Sequence, residues 1–122
     1  MSDQPTVLIV DDEPQMRMVL SFSLETYGFT CLAAASAEEA MIILRDENVD
    51  VVLADVMLPG HSGLELCERI KNEFGMPVIL LTAKGEPRDR LEGLELGAAD
   101  YIAKPFHPKE VVLRLNKVLR VS

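Results

Sequence analysis

Apolar and branched residues gather in five short runs, and these predict strands near 6–10, 29–33, 50–54, 77–81 and 100–103. Longer segments between them carry the apolar spacing of amphipathic helices. In the first of these, Met16, Leu20, Ser23 and Tyr27 fall on one stripe, with Met16, Leu20 and Tyr27 expected to face the core. Helix starts are marked by Pro14, Pro87 and Pro108, since a first-turn residue has no use for its N–H. Ser36 with Glu39, and Ser62 with Glu65, read as capping boxes. Gly28, Gly75 and Gly97 sit where a left-handed residue closes a helix. Strands of nearly continuous apolar character alternating with helices predict an α/β fold, (βα)5, around a parallel sheet covered on both faces.

The chain has 122 residues, enough for one domain with one core, and no linker, repeat or low-complexity segment divides it. Hydrophobic residues make up 48% and charged residues 26%, the balance of a globular domain. A net charge of -8 argues against direct contact with nucleic acid, whose phosphates demand Lys and Arg. No apolar run approaches the roughly 18 residues of a membrane span, and the polar start does not resemble a signal peptide, so a cytoplasmic protein is expected. Cys31 and Cys67 lie in apolar segments and are expected to be buried free thiols.

Chemistry collects at one edge of the predicted sheet. Asp11, Asp12 and Glu13 follow the first strand, Asp55 the third, Thr82 the fourth, and Lys104-Pro105 the fifth. In open parallel sheets ligands bind beyond these carboxyl ends, where the strand order reverses. Taken singly, Asp12 or Glu13 reads as a cap for the next helix and Lys104 as a solvated turn residue. Asp55 has no such account, because an unpaired carboxylate gains nothing by ending an apolar strand. Three carboxylates at one place need compensation, and Lys104 supplies a single charge. Oxygen-only donors suit Mg²⁺, and the lack of His or Cys at these strand ends disfavours zinc.

The pieces Val10-Asp11-Asp12-Glu13, then Asp55-Val56-Met57-Leu58-Pro59-Gly60 with Gly63, then Leu81-Thr82-Ala83, and finally the run from Gly97 to Phe106, resemble the response-regulator receiver domains, the CheY-like superfamily. The resemblance runs over essentially the whole chain and is specific in its order and spacing. It implies one receiver domain over residues 1–122, a doubly wound parallel five-stranded sheet with the flavodoxin-like strand order 2-1-3-4-5, and a place in a two-component phosphorelay. Asp55 would be the phosphoacceptor, taking its phosphoryl group from a histidine kinase or phosphotransfer protein. Asp12, Asp55 and the backbone carbonyl of Met57 would hold Mg²⁺ (or Mn²⁺), with Asp11 beside it or acting through water. Lys104 would contact one phosphoryl oxygen and Thr82 another, and Tyr101 would turn inward as an aromatic switch. The Lys104–Pro105 bond would be cis. Such a chain is a signalling switch and not an enzyme, with slow self-phosphorylation from small donors and slow autodephosphorylation. The output surface would combine the fourth predicted helix, the fifth strand and the last helix.

In the last helix Val111, Val112, Leu115, Val118 and Leu119 share an apolar arc, and Leu113 points away from it. Arg90, Glu110, Leu113 and Arg114 resemble the dimer face of the OmpR/PhoB-like subgroup, which implies a phosphorylation-dependent homodimer; Ala99 departs from that pattern. Other classes fit less well. A Mg²⁺-dependent phosphohydrolase with an aspartate nucleophile usually spaces its acids Asp-x-Asp after the first strand, whereas Asp11 and Asp12 are adjacent. A flavodoxin-like cofactor module would find its cofactor phosphate repelled by the same acidic turn. A pseudo-receiver would have lost chemical positions that are all present here.

Overall fold

The computed structural model describes residues 4–58, 62–83 and 97–120. Five strands are present: β1 (Thr6–Val10), β2 (Thr30–Ala34), β3 (Val51–Asp55), β4 (Val78–Ala83) and β5 (Asp100–Lys104). The described helices are α1 (Pro14–Thr26), α2 (Ala37–Asp46), α3 (Gly63–Glu73) and a C-terminal helix (Pro108–Leu119). Pro87 and Arg90 fall outside the described residues. All strand pairs are parallel, as the alternation predicts, and the order is β2-β1-β3-β4-β5, as the family resemblance implies. The chain therefore leaves β1 toward one edge and returns to the other side at β3, which creates the crevice between the ends of β1 and β3.

Two cores follow from the two-residue period of the strands. Leu8, Val10, Val52, Ala54, Val78, Leu80 and Tyr101 face α2 and α3, where Met41, Leu44, Leu66, Cys67 and Ile70 meet them. The alternate residues Val7, Ile9, Val51, Leu53, Ile79, Leu81 and Ile102 face α1 and the C-terminal helix, where Leu20, Leu24, Val111 and Leu115 meet them. The sheet is thus covered on both sides, which explains why β3 is buried along its whole length.

Local signals place the helices. Pro14 and Pro108 stand in first turns, and Gly28, Gly75 and Gly97 all adopt positive φ. Ser62 and Glu65 form their capping box. At Ser36 the box is displaced by one residue: its hydroxyl accepts from the Glu39 N–H at 3.2 Å, but the Glu39 carboxylate accepts from Ala35 at 2.8 Å instead of from Ser36.

Two core expectations fail. Tyr27 is 51% exposed, and Leu24 continues the stripe of Met16 and Leu20 in its place. The cause is that α1 ends at Thr26, so Tyr27 is the C-cap and leaves the helical period just before the turn at Gly28. Phe29 enters the core after that turn. Cys31 is only half-buried because β2 is an edge strand, whereas Cys67 is fully buried; both are free thiols. Burial pushes each thiol up to about 11, which keeps them protonated and unreactive near neutral pH.

Candidate phosphoryl-transfer site

Parallel register brings the chemical residues of distant segments to one edge. Asp55 ends β3, its neighbour β1 leads directly into Asp11, and β4 and β5 present Thr82 and Lys104. Asp11, Asp55 and Thr82 are buried. The Lys104–Pro105 peptide bond is cis.

Lys104 Nζ donates to Asp55 Oδ2 and stands 3.9 Å from Asp11 Oδ2. The other Asp55 oxygen, Oδ1, accepts from the Met57 N–H at 2.8 Å. Asp11 Oδ1 accepts from the Glu13 N–H at 2.9 Å, a local turn that directs the chain into α1, while Asp11 Oδ2 is buried with no hydrogen-bond partner among the described residues. Neither Asp12 nor Glu13 caps α1 through its side chain: Glu13 is the N-cap and makes no such bond.

The expected crowd of three carboxylates is in fact a buried pair. Asp12 is exposed, and among the described residues no group of three His, Cys, Asp or Glu side chains is close enough to hold a metal. β1 ends at Val10, and the turn that Asp11 makes with the Glu13 N–H carries Asp12 to the surface. The pair still fits a hard cation. Its donors are oxygens, one of them is orphaned, and Lys104 is committed to Asp55. Arg17, which the sequence reading did not single out, donates from its guanidinium to the Asp11 carbonyl at 2.7 Å. Its position four residues after Glu13 in the first turns of α1 was the available signal.

Charge in the pocket is strained. Burial raises the Asp11 carboxyl above its ordinary range; the Glu13 amide partly offsets this, and the Asp55 charge adds to the rise. Burial alone would lower the Lys104 ammonium, but its hydrogen bond and attraction to Asp55, with Asp11 and Glu13 behind, hold it above its usual value. A carboxyl raised in the folded state binds its proton more tightly there than in the unfolded chain. Its contribution to stability therefore falls as pH rises from about 3.9 through the raised value, and the cost persists at neutral pH. Asp11→Asn should stabilise the metal-free protein at pH 7 by about 1–3 kcal/mol, because a buried charge whose Lys104 partner is 3.9 Å away and bonded to Asp55 is removed while the Glu13 contact can be kept. The advantage should shrink at pH 4. Urea unfolding at both pH values checks this, and a destabilised variant at pH 7 would contradict it.

Tyr101 is already buried, packed on the face that carries α2 and α3. At its other side Arg114 donates to both oxygens of Asp100, at 2.8 and 2.9 Å, and lies 3.6 Å from Glu110. Leu113 is 61% exposed on the same helix.

The fold and the site together define an α/β domain with paired acids and a lysine at the switch point of a doubly wound sheet. The family model for the response regulator receiver domain matches residues 7–116. The chain belongs to that family. It is 48% identical over 118 residues to the phosphate regulon transcriptional regulatory protein PhoB of Pseudomonas aeruginosa, covering 94% of this chain and 52% of that one. It is 41% identical over 119 residues to the transcriptional regulatory protein ResD of Bacillus subtilis, covering 98% and 50%. These relatives accord with the OmpR/PhoB-like subgroup, and the chain spans about half their length. Among solved structures, a putative response regulator from Chloroflexus aurantiacus superposes with a TM-score of 0.92 at 37% identity, covering 98% of this chain and 100% of that one. The chemotaxis response regulator CheY4 of Vibrio cholerae gives 0.88 at 29% identity, covering 95% and 99%.

Proposed function

We propose that this receiver domain, residues 1–122, is a phosphoryl-accepting switch in which Asp55 is the acceptor. The observation that carries the reading is a buried carboxylate at the end of β3 with Lys104 on one oxygen and the Met57 amide on the other, beside an acid oxygen of Asp11 that has no hydrogen bond among the described residues. An Asp55 oxygen attacks the phosphorus of a phosphohistidine on a histidine kinase or phosphotransfer protein. The phosphorus–nitrogen bond breaks, and its electron pair stays on the imidazole.

A carboxylate is a weak nucleophile toward a phosphoryl group that is itself negative, so the site's work is electrostatic. Lys104 faces the transferred oxygens. Thr82 follows Leu81, the register partner of Asp55 on the neighbouring strand, and its hydroxyl would donate to another of them. Asp11, Asp12, Asp55 and the Met57 carbonyl are the residues that would hold Mg²⁺ or Mn²⁺, Asp12 by turning in from its exposed position. Such an ion supplies Lewis-acid neutralisation of the transferring group. Movement of Thr82 would then be read by Tyr101 and passed to the face of β5 and the C-terminal helix. Slow uptake from small donors and slow self-dephosphorylation accompany this chemistry, which makes the domain a signalling element and not a turnover enzyme.

Among the described residues no helix is long and apolar enough to cross a membrane. We read the domain as cytoplasmic, with any DNA contact left to other parts of a longer regulator. Glu110, Leu113 and Arg114, with Arg90, are read as a homodimer face. Because Arg114 is engaged by Asp100 within the chain, pairing would have to share or exchange that contact. Sedimentation with and without beryllofluoride should show a dimer only with the mimic; a monomer under both conditions sinks the dimer reading.

The decisive experiment is incubation with acetyl phosphate and Mg²⁺ followed by intact mass. One added phosphoryl group per chain is expected. An unmodified mass under saturating donor would overturn the functional reading.

A further inference from the structure

The start of α3 is pressed against the backbone of the acceptor. Gly63 is the first residue of α3, and its N–H donates to the Val56 carbonyl at 2.8 Å. A methyl group built on Gly63 would overlap the Asp55 carbonyl oxygen and lie 2.8 Å from both the Asp55 carbonyl carbon and the Val56 Cα. Those are backbone atoms of a fully buried strand and its exit, so they cannot yield as a flexible side chain would. The other side of the same short segment is held by the Val56 N–H, which donates to the Leu81 carbonyl at 3.0 Å, and on the α3 side Met57 also bridges to Ser62.

We infer that Gly63 is a positioning residue for the phosphoryl-transfer site, its missing side chain allowing α3 to clamp the segment from Asp55 to Met57. The clamp acts through neighbours. Met57 contributes the amide that holds Asp55 Oδ1 and the carbonyl assigned to the cation, so a retreat of α3 would move both at once. The capping box helps to seat the helix: the Ser62 N–H donates to the Glu65 carboxylate at 3.1 Å, and the Ser62 hydroxyl accepts from the Leu64 N–H at 3.0 Å. The φ of Gly63 is not positive, so what the position demands is space and not a left-handed backbone. The inference rests on the functional reading above only in its metal arm.

Gly63→Ala is the direct test, with Gly75→Ala as a comparator. Gly75 has positive φ and nothing within 4 Å of a built Cβ, so its variant loses stability without touching the site. Two quantities are measured by NMR: Mg²⁺ affinity, and hydrogen exchange of the Met57 amide in the metal-free protein. Gly63→Ala should bind Mg²⁺ about 10–100-fold more weakly, as when a residue supporting a metal ligand is lost, and should lose Met57 protection. Gly75→Ala should keep both near wild type while still losing stability through its positive φ. A folded Gly63→Ala with wild-type affinity and protection overturns the inference. Should Gly63→Ala fail to fold, Ser62→Ala with Glu65→Ala loosens the helix start without a clash, and unchanged values there overturn it equally. A wild type that binds no Mg²⁺ sinks the functional reading, and Met57 exchange alone then decides whether Gly63 positions this segment.

Discussion

Asp55→Asn should take up no phosphoryl group from acetyl phosphate and Mg²⁺, under conditions where the wild-type mass rises by one such group. The amide is close to isosteric, and its oxygen can still accept from the Met57 N–H, so the segment keeps its shape. What is lost is the nucleophile, because an amide oxygen offers no comparable electron pair to phosphorus. Lys104, released from Asp55, is already 3.9 Å from Asp11 and can turn to it, so the variant should remain folded. Intact mass together with thermal unfolding separates chemistry from stability. Equal labelling of the folded variant would remove Asp55 from its role.

Lys104→Ala should slow phosphoryl uptake about 10²–10³-fold, the usual loss when one preorganised electrostatic donor is taken from a transfer site. Among the described residues Lys104 is the cation that touches Asp55, and it is held there by a buried partner and not by a solvated, screened one. The same change should leave Mg²⁺ affinity undiminished or stronger, since two carboxylates lose the cation that competes with the metal. A slower reaction with tighter metal binding is a combination that general unfolding does not produce. Rates from stopped labelling with acetyl phosphate, and Mg²⁺ titration by NMR, check the two halves. A wild-type rate would show that Lys104 only pairs charge in the resting site.

The two predictions rest on residues that were visible as a pattern before they were visible as a place. Asp11, Asp55, Thr82 and Lys104 each end an apolar run, and in a parallel sheet every such end lies on one edge, so their convergence could be read from periodicity alone. The exposure of Asp12 was not legible in that pattern, because the strand period ends at Val10 and a turn at Asp11 sets the next residue. Tyr27 was misplaced for a similar reason. A stripe drawn at helical spacing says nothing of where the helix stops, and α1 stops one residue too early for it.

Sequence by itself determined the alternation of elements, the parallel sheet, most of the core and which polar residues end the strands, because these depend on local period and on polar groups interrupting it. Tertiary structure decided what depends on distance between segments far apart in the chain. It paired Lys104 with Asp55 and left Asp11 short of a partner, it turned Arg114 back onto Asp100, and it brought α3 so near to β3 that only a glycine fits at residue 63. Close approach between backbones leaves no periodic trace, since a glycine at the head of a helix looks the same whether a strand or open water faces it.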